Sequence, residues 1–131
     1  MNEKIMVVDD EPNVLTLMEI VLKRKGFTVV VANDAIKAIT LLSKEKPDLF
    51  ILDVMMPGIS GLELCEVLRT RPDTARTPVL MLSARADSES VQRGLAAGAN
   101  EYLQKTTSPT QVVGRVQALL ESKNQYVEHI I

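Results

Sequence analysis

Residues 5–10 read Ile-Met-Val-Val-Asp-Asp, an unbroken apolar tetrad that ends at a pair of acids. The same design returns at residues 49–53, Leu-Phe-Ile-Leu-Asp, and at residues 79–83, Val-Leu-Met-Leu-Ser. Strands that face water on one side alternate apolar and polar residues, whereas strands of a parallel sheet covered on both faces are apolar throughout. The three stretches therefore predict buried strands of a parallel sheet, each ending in a polar residue.

Two further strands complete the pattern, one at residues 28–32 and a short one near residues 102–103. Each of the five strands is followed by a segment in which apolar residues recur at helical spacing, such as Val14, Met18 and Leu22. Five strand-then-helix units with right-handed crossovers predict an α/β fold. We expect a doubly wound, five-stranded parallel sheet with helices on both faces.

The composition bounds the class of protein. The chain has 131 residues, 46% of them hydrophobic, which suits one globular domain. The 15 basic and 17 acidic residues leave a net charge of −2, which argues against direct nucleic-acid binding by this domain. The single Cys65 excludes an internal disulfide and suits a reducing compartment, and no apolar run is long enough to span a bilayer. The expected location is the cytoplasm, away from the membrane.

Polar residues follow four of the predicted strands: Asp9 and Asp10, Asp53, Ser83 and Lys105. In a parallel sheet these residues lie on the edge where ligands bind. Carboxylates that converge there repel one another unless a cation sits among them. A few oxygen ligands with no histidine or cysteine suit Mg²⁺ rather than Zn²⁺.

A lysine and a hydroxyl beside such a metal provide what a transferring phosphoryl group needs. The cations neutralise the charge on its equatorial oxygens, and the hydroxyl donates a hydrogen bond. A carboxylate can itself act as the nucleophile and form an acyl phosphate. The residues thus predict a phosphorylatable aspartate within a Mg²⁺ site.

The arrangement resembles the receiver domain of two-component response regulators, with its flavodoxin-like or CheY-like (βα)5 fold. Four motifs match that family in order and spacing: Asp9-Asp10, residues 53–61 (Asp-Val-Met-Met-Pro-Gly-Ile-Ser-Gly), Ser83-Ala84, and residues 98–105 (Gly-Ala-Asn-Glu-Tyr-Leu-Gln-Lys). The resemblance covers about residues 4–121.

The resemblance implies roles for the matching positions. Asp53 would be the phosphoacceptor, and Asp10, Asp53 and the backbone carbonyl of Met55 would bind Mg²⁺, for which Mn²⁺ could substitute. Asp9 would assist the metal through water. Lys105 would hold the phosphoryl group, and in this family such a domain catalyses only its own phosphorylation and dephosphorylation.

The resemblance also implies a switch. Ser83 would turn toward the phosphoryl group, and Tyr102 would follow it. The side chains of Met55 and Arg85 would tune how long the phosphoryl group lasts.

The resemblance also implies the partners of the domain. The phosphoryl donor would be a histidine kinase, a phosphotransfer protein or a small acyl phosphate. Phosphorylation would change the surface of the fourth helix, fifth strand and fifth helix, which would contact an output domain, a target protein or a second copy of the chain.

Two features depart from the usual pattern. The family usually has a proline joined by a cis bond after the lysine, whereas Lys105 is followed by Thr106. At the other end, helical spacing continues through Val127 and Ile130, beyond the expected end of the domain. We therefore expect a receiver domain over residues 1–123. Residues 124–131 would be a tail, or would extend the last helix toward an output module or a dimer partner.

Three other classes compete with this interpretation. Haloacid dehalogenase-like phosphohydrolases have a second acid two residues after the nucleophile, but Met55 occupies that position. A flavodoxin-like cofactor carrier needs a phosphate loop after the first strand, and the acidic residues 9–11 would repel a phosphate. A degenerate receiver that binds partners without phosphorylation is the remaining alternative; the intact Asp10, Asp53, Ser83 and Lys105 argue against it.

Overall fold

A computed structural model describes the backbone of residues 2–130 and the side chains of residues 2–122. Strands and helices alternate along the whole of this range. They are β1 (Lys4–Val8), α1 (Pro12–Arg24), β2 (Thr28–Ala32), α2 (Ala35–Leu41), β3 (Leu49–Asp53), α3 (Gly61–Thr70), β4 (Val79–Ser83), α4 (Ser88–Ala96), β5 (Glu101–Gln104) and α5 (Pro109–Ile130).

The five strands form one parallel sheet with the order β2-β1-β3-β4-β5. The chain therefore winds from β1 outward to β2, returns to β3, and continues outward through β4 to β5. This topology confirms the predicted doubly wound α/β fold. It also makes β1, β3, β4 and β5 successive neighbours, so that their carboxyl ends meet at one edge.

Apolar side chains on the two faces of the sheet form two separate cores. On one face Ile5, Ile51 and Leu80 pack against Met18 of α1 and Val116 of α5. On the other face the strand residues Met6, Phe50 and Met81 pack with Ala38 of α2 and Leu64 of α3. The continuous apolar strands have this origin, because each successive side chain enters a different core.

Helix α4 differs from its neighbours in burying no large apolar side chain. The Leu95 side chain is 46% exposed, and Gly94 is the buried residue of the helix. A Cβ at Gly94 would lie 2.6 Å from the Tyr102 ring, so the missing side chain allows α4 to approach β5 closely. Helix α4 therefore joins the molecule through few side chains.

The predicted division into a receiver domain over residues 1–123 and a tail over residues 124–131 stays a prediction. The side chains of residues 123–131 lie outside the described residues, and with them the apolar positions Val127 and Ile130. Among the helices of the described chain, none has the length and apolarity needed to cross a membrane.

Candidate functional site

The carboxyl edge of the sheet brings the predicted site residues together. Asp53 is the last residue of β3 and pairs with Leu82 of β4, while Ser83 pairs with Gln104 of β5. The Asp9 amide donates a hydrogen bond to the Ala32 carbonyl at 3.1 Å, which fixes the end of β1. The backbone of the sheet therefore sets the positions of these side chains.

Asp53 is the centre of the cluster, with only 2% of its surface exposed. Its Oδ1 accepts a hydrogen bond from the Met55 amide at 3.2 Å. Its Oδ2 is fully buried and has no hydrogen-bond partner, although it lies 3.3 Å from Nζ of Lys105. A buried carboxylate oxygen without a hydrogen bond lowers the stability of the fold. Such atoms are rare in proteins, which indicates that this oxygen belongs to a functional site.

Gly61 packs against the backbone at the end of β3 and helps to position Asp53. Its amide donates to the Val54 carbonyl at 3.0 Å, and a Cβ there would collide with the backbone carbonyl oxygen of Asp53. Only glycine allows α3 to begin this close to the end of β3. The helix itself is started by a capping box between Ser60 and Glu63.

Asp9, Asp10 and Asp53 are arranged as a group that could hold a metal ion. One carboxylate oxygen from each of the three residues lies within 4.8 Å of the other two. Asp9 is buried and Asp10 is exposed, so the group opens to solvent on one side. All three donors are carboxylate oxygens in a group that is open to solvent on one side, which fits a hard divalent cation that retains some of its waters.

Burial and mutual repulsion disfavour the charged forms of the clustered carboxylates. Burial raises the pKa of Asp53 to about 7, assisted by the negative charge of Asp9 and the neighbouring Asp10 carboxyl. Burial also raises the pKa of Asp9 above its ordinary value, against the opposing hydrogen bond from the Glu11 amide. Crowding and desolvation of carboxylates disfavour their charged forms, and a bound cation reverses that effect.

Lys105 supplies positive charge to the cluster. Its Nζ lies 2.7 Å from Oε1 of Glu11 and 3.2 Å from Oδ2 of Asp9, in addition to its contact with Asp53. Burial lowers the pKa of Lys105, but the hydrogen bond to Glu11 and the negative charges of Asp9 and Asp53 outweigh it and raise the pKa above its usual value. The ammonium group is therefore charged at every physiological pH.

The backbone explains how Lys105 keeps this position without a following proline. Its amide donates to the Ser83 carbonyl at 2.7 Å and so continues the ladder between β4 and β5. None of the peptide bonds in the described chain is cis, so the bond between Lys105 and Thr106 is trans. A turn hydrogen bond from Thr107 to Gln104 then leads the chain toward α5.

The predicted switch residues lie beside the acidic cluster. Ser83 is fully buried, and its Oγ accepts a hydrogen bond from the Arg85 amide at 3.1 Å. The Tyr102 hydroxyl donates to the Arg85 carbonyl at 2.7 Å. A cavity of about 570 Å³ lies between these residues and the exposed Met55 side chain. Ser83 and Tyr102 are thus both bonded to one backbone residue, Arg85.

Sequence reasoning missed one member of the cluster. Glu11 makes the shortest of the three carboxylate contacts to Lys105 described here, yet it was not among the predicted site residues. The available signal was its position directly after the acidic pair. Its partner, Lys105, lies 94 residues away in the sequence. The contact between them depends on side-chain rotamers, which the order of the strands does not determine.

Comparison with known proteins now identifies the family. Residues 5–117 match the model of the response regulator receiver domain. The chain belongs to this family. Receiver domains of two-component response regulators are signalling modules and not classical enzymes, and they bind Mg²⁺ at an acidic pocket of the kind that Asp9, Asp10 and Asp53 form here.

Individual relatives support the assignment. The chain is 42% identical over 120 residues to the alkaline phosphatase synthesis transcriptional regulatory protein PhoP of Bacillus subtilis, a match that covers 92% of this chain and 49% of that protein. The chain thus spans about half the length of the curated relatives that it matches.

Solved structures show the same fold. The chemotaxis protein CheY4 of Vibrio cholerae is 30% identical with a TM-score of 0.86, over 90% of this chain and 98% of that one. The BeF3-activated N-terminal receiver domain of Klebsiella pneumoniae RstA is 34% identical with a TM-score of 0.83, over the same shares of the two chains. These likenesses confirm the CheY-like form of the sheet.

Proposed function

We propose that this receiver domain is a phosphorylation switch whose phosphoacceptor is Asp53. The observation that carries the proposal is Oδ2 of Asp53, a buried oxygen with no hydrogen bond that faces the Lys105 ammonium at 3.3 Å. Asp9 is equally buried, but its Oδ1 accepts hydrogen bonds from the Glu11 amide and from Nζ of Lys105. Among the described residues, only Oδ2 of Asp53 is a buried side-chain oxygen or nitrogen without a hydrogen bond. Asp53 is thus the carboxylate with a buried oxygen left for a reaction.

The chemistry that fits is phosphoryl transfer to a carboxylate. A carboxylate oxygen of Asp53 attacks the phosphorus of an acyl phosphate or a phosphohistidine and forms a new P–O bond. The donor's bond to phosphorus breaks, and its electron pair leaves with the donor's carboxylate or imidazole. In dephosphorylation, water attacks the phosphorus of the aspartyl phosphate, the bond between phosphorus and the Asp53 oxygen breaks, and inorganic phosphate leaves. The chain turns over only its own phosphoryl group.

Asp10, Asp53, the Met55 carbonyl and, through water, Asp9 would hold Mg²⁺ or its substitute Mn²⁺. The bound cation would neutralise charge on the phosphoryl oxygens as they approach the carboxylates. Lys105, directly after β5, supplies the second positive charge. Its backbone bond to the Ser83 carbonyl keeps it in reach, which supports its proposed role in holding the phosphoryl group.

The switch would pass through Arg85. If Ser83 turns its hydroxyl to the phosphoryl group, it releases the Arg85 amide that it now binds. The Arg85 carbonyl also holds Tyr102, so a movement there would free the ring from its place against Gly94. Because α4 is anchored by few side chains, the α4-β5-α5 surface would change with it. The exposed side chains of Met55 and Arg85 flank the cavity and would tune the phosphoryl lifetime.

The proposed partners follow from the family. The donor would be a histidine kinase or a phosphotransfer protein, and the α4-β5-α5 surface would contact an output domain, a target protein or a second copy of the chain. Relatives such as DNA-binding response regulator MtrA are about twice as long as this chain. We place the domain in the cytoplasm, where its free, buried Cys65 would stay reduced.

The test is the intact mass of the protein after incubation with acetyl phosphate, with and without Mg²⁺. We expect the wild type to gain one phosphoryl group only when Mg²⁺ is present. The matched variant Asp53→Asn should gain none, because an amide is not a nucleophile toward phosphorus. A gain that persists in Asp53→Asn would overturn the proposal. A wild type that gains nothing from either acetyl phosphate or a kinase would favour a degenerate, partner-binding receiver.

A further inference from the structure

The Lys105 ammonium group lies among three carboxylates before any phosphoryl group arrives. Its three contacts are with Glu11 at 2.7 Å, Asp9 at 3.2 Å and Asp53 at 3.3 Å. Nζ donates hydrogen bonds to Oε1 of Glu11 at 2.7 Å and to Oδ1 of Asp9 at 3.4 Å, whereas its contact with Oδ2 of Asp53 is an ion pair without a hydrogen bond. A phosphoryl group on Asp53 would bring further oxygens to the same ammonium group. These oxygens would compete with the present partners for the N–H groups of Lys105.

The three partners differ in their freedom to leave. The side chains of Asp9 and Asp53 are each 2% exposed and sit at the ends of strands. The Glu11 side chain is 59% exposed and can turn into solvent. Its departure would cost little, because exposed ion pairs are weak. Glu11 is therefore the partner that a phosphoryl group would displace.

The backbone contacts around Glu11 do not depend on its side chain. Glu11 is the N-cap residue of α1, but its side chain makes no capping hydrogen bond. Its amide is held by Oδ1 of Asp9 at 2.9 Å, and the following Pro12 starts the helix. The carboxylate can thus release Lys105 while the backbone at the end of β1 keeps its place.

We propose that Glu11 is a positioning residue that occupies Lys105 in the unphosphorylated protein and slows phosphorylation of Asp53. This inference rests on the proposed function, because it concerns the same phosphoryl transfer. The Asp53–phosphorus bond forms while the donor's bond to phosphorus breaks, and the Lys105 ammonium exchanges the Glu11 carboxylate for a phosphoryl oxygen. No proton is transferred in this exchange. In the phosphorylated protein Glu11 has already left, so it no longer affects the rate of dephosphorylation.

Three variants separate the contact from its charge. Glu11→Gln removes the charge, and Glu11→Asp keeps the charge but draws the carboxylate back by one methylene group. Glu19→Gln removes one charge from the exposed face of the same helix, where Glu19 pairs with Lys23. It is the matched control for the net charge of the protein.

Rates of phosphorylation and dephosphorylation give the first measurement, with acetyl phosphate as the donor in the presence of Mg²⁺. We expect phosphorylation to be about five-fold faster in Glu11→Gln and about two-fold faster in Glu11→Asp, as the loss of one exposed ion pair allows. Dephosphorylation should stay at the wild-type rate in both, and Glu19→Gln should match the wild type throughout. Equal phosphorylation rates in the wild type and Glu11→Asp would overturn the proposal in favour of a simple effect of charge.

The second measurement needs neither metal nor donor. Reductive methylation of Lys105 in the metal-free protein, measured by mass spectrometry relative to the exposed Lys25, reports access to Nζ. We expect Lys105 to react faster in both Glu11 variants and at the wild-type rate in Glu19→Gln. Unchanged reactivity would overturn the proposed contact. If the wild type is not phosphorylated at all, the proposed function fails, yet this labelling result still decides whether Glu11 occupies Lys105.

Discussion

Polar clusters at the two ends of the sheet are built in opposite ways. At the amino ends of β4 and β5 the Arg69 guanidinium donates only to neutral oxygens, and its described contacts lie between 2.7 and 3.4 Å. The acceptors are the carbonyls of Thr74, Ala75, Thr77 and Gly98, and Oδ1 of Asn100. At the carboxyl end, three carboxylates crowd together and Oδ2 of Asp53 has no hydrogen bond.

The difference separates a structural cluster from a functional one. The Arg69 cluster joins the loop before β4 to the loop before β5, and Asn100 also accepts the Val79 amide at 2.9 Å. Its polar groups satisfy one another, so it stabilises the fold without needing a ligand. The Asp53 cluster is left with repulsion and a raised pKa, which a cation and a phosphoryl group would relieve. Unsatisfied polar groups indicate the site better than polar groups as such.

The largest effect on stability is expected at the satisfied end. Arg69→Met removes several hydrogen bonds to backbone carbonyls, and we expect the free energy of unfolding to fall by about 2–3 kcal/mol. Urea denaturation measures the change. The matched control Arg71→Met loses an exposed ion pair with Asp73 and should change stability by less than about 0.5 kcal/mol. If Arg69→Met left the free energy of unfolding unchanged, the Arg69 cluster would not be the structural cluster described here.

At the carboxyl end of the sheet, by contrast, we expect a substitution to raise the free energy of unfolding. Asp53 has a raised pKa in the folded protein, so its proton binds more tightly there than in the unfolded chain. The stability of the metal-free protein should therefore fall as the pH rises from about 4 through about 7. Asp53→Asn removes the buried charge and should raise the free energy of unfolding by about 1–2 kcal/mol at pH 8, with a smaller gain at pH 5.

Asp73→Asn is the control for that prediction, since Asp73 is exposed and pairs with Arg71. Thermal denaturation at both pH values in the presence of a chelator gives the comparison. If Asp53→Asn were less stable than the wild type at pH 8, the contacts of Asp53 with Lys105 and the Met55 amide would outweigh its burial. The carboxyl end would then count as a satisfied cluster.

Much of this contrast follows from the sequence, but not all of it. Strand ends predict where Asp9, Asp53 and Ser83 meet, because a parallel sheet aligns the carboxyl ends of its strands. The Arg69 cluster could not be predicted, because its acceptors are loop carbonyls that every residue carries. Glu11 was missed for a related reason, since an exposed glutamate beside a strand end is common. Strand register follows from hydrophobic pattern, whereas side-chain partners depend on loop conformation.

A bound metal ion should stabilise the carboxyl end of the sheet, with a smaller effect than the two substitutions above. Mg²⁺ at about ten times its dissociation constant should raise the free energy of unfolding of the wild type by about 1.4 kcal/mol. Asp10→Asn is the variant to compare, because Asp10 is exposed and its loss should leave the fold intact. We expect little stabilisation of this variant at the same Mg²⁺ concentration. Equal stabilisation of both proteins would exclude Asp10 as a ligand.

The smallest effect is expected at Tyr102, in the strand that joins the two clusters. Tyr102→Phe removes only the hydroxyl that donates to the Arg85 carbonyl, and should lower stability by about 0.5 kcal/mol. Amide hydrogen exchange across residues 84–87 should become faster, because their loop loses one anchor. A loss of several kcal/mol would show that Tyr102 belongs to the structural framework and is not free to move.

The most direct test of the contrast is to find which carboxylate receives the phosphoryl group. Borohydride reduces an aspartyl phosphate to homoserine, so tandem mass spectrometry of the digested protein then identifies the modified residue. After treatment with acetyl phosphate and Mg²⁺, we expect homoserine at position 53 and aspartate at positions 9 and 10. Homoserine at position 9 or 10 would contradict the assignment of the unsatisfied Asp53 as the phosphoacceptor.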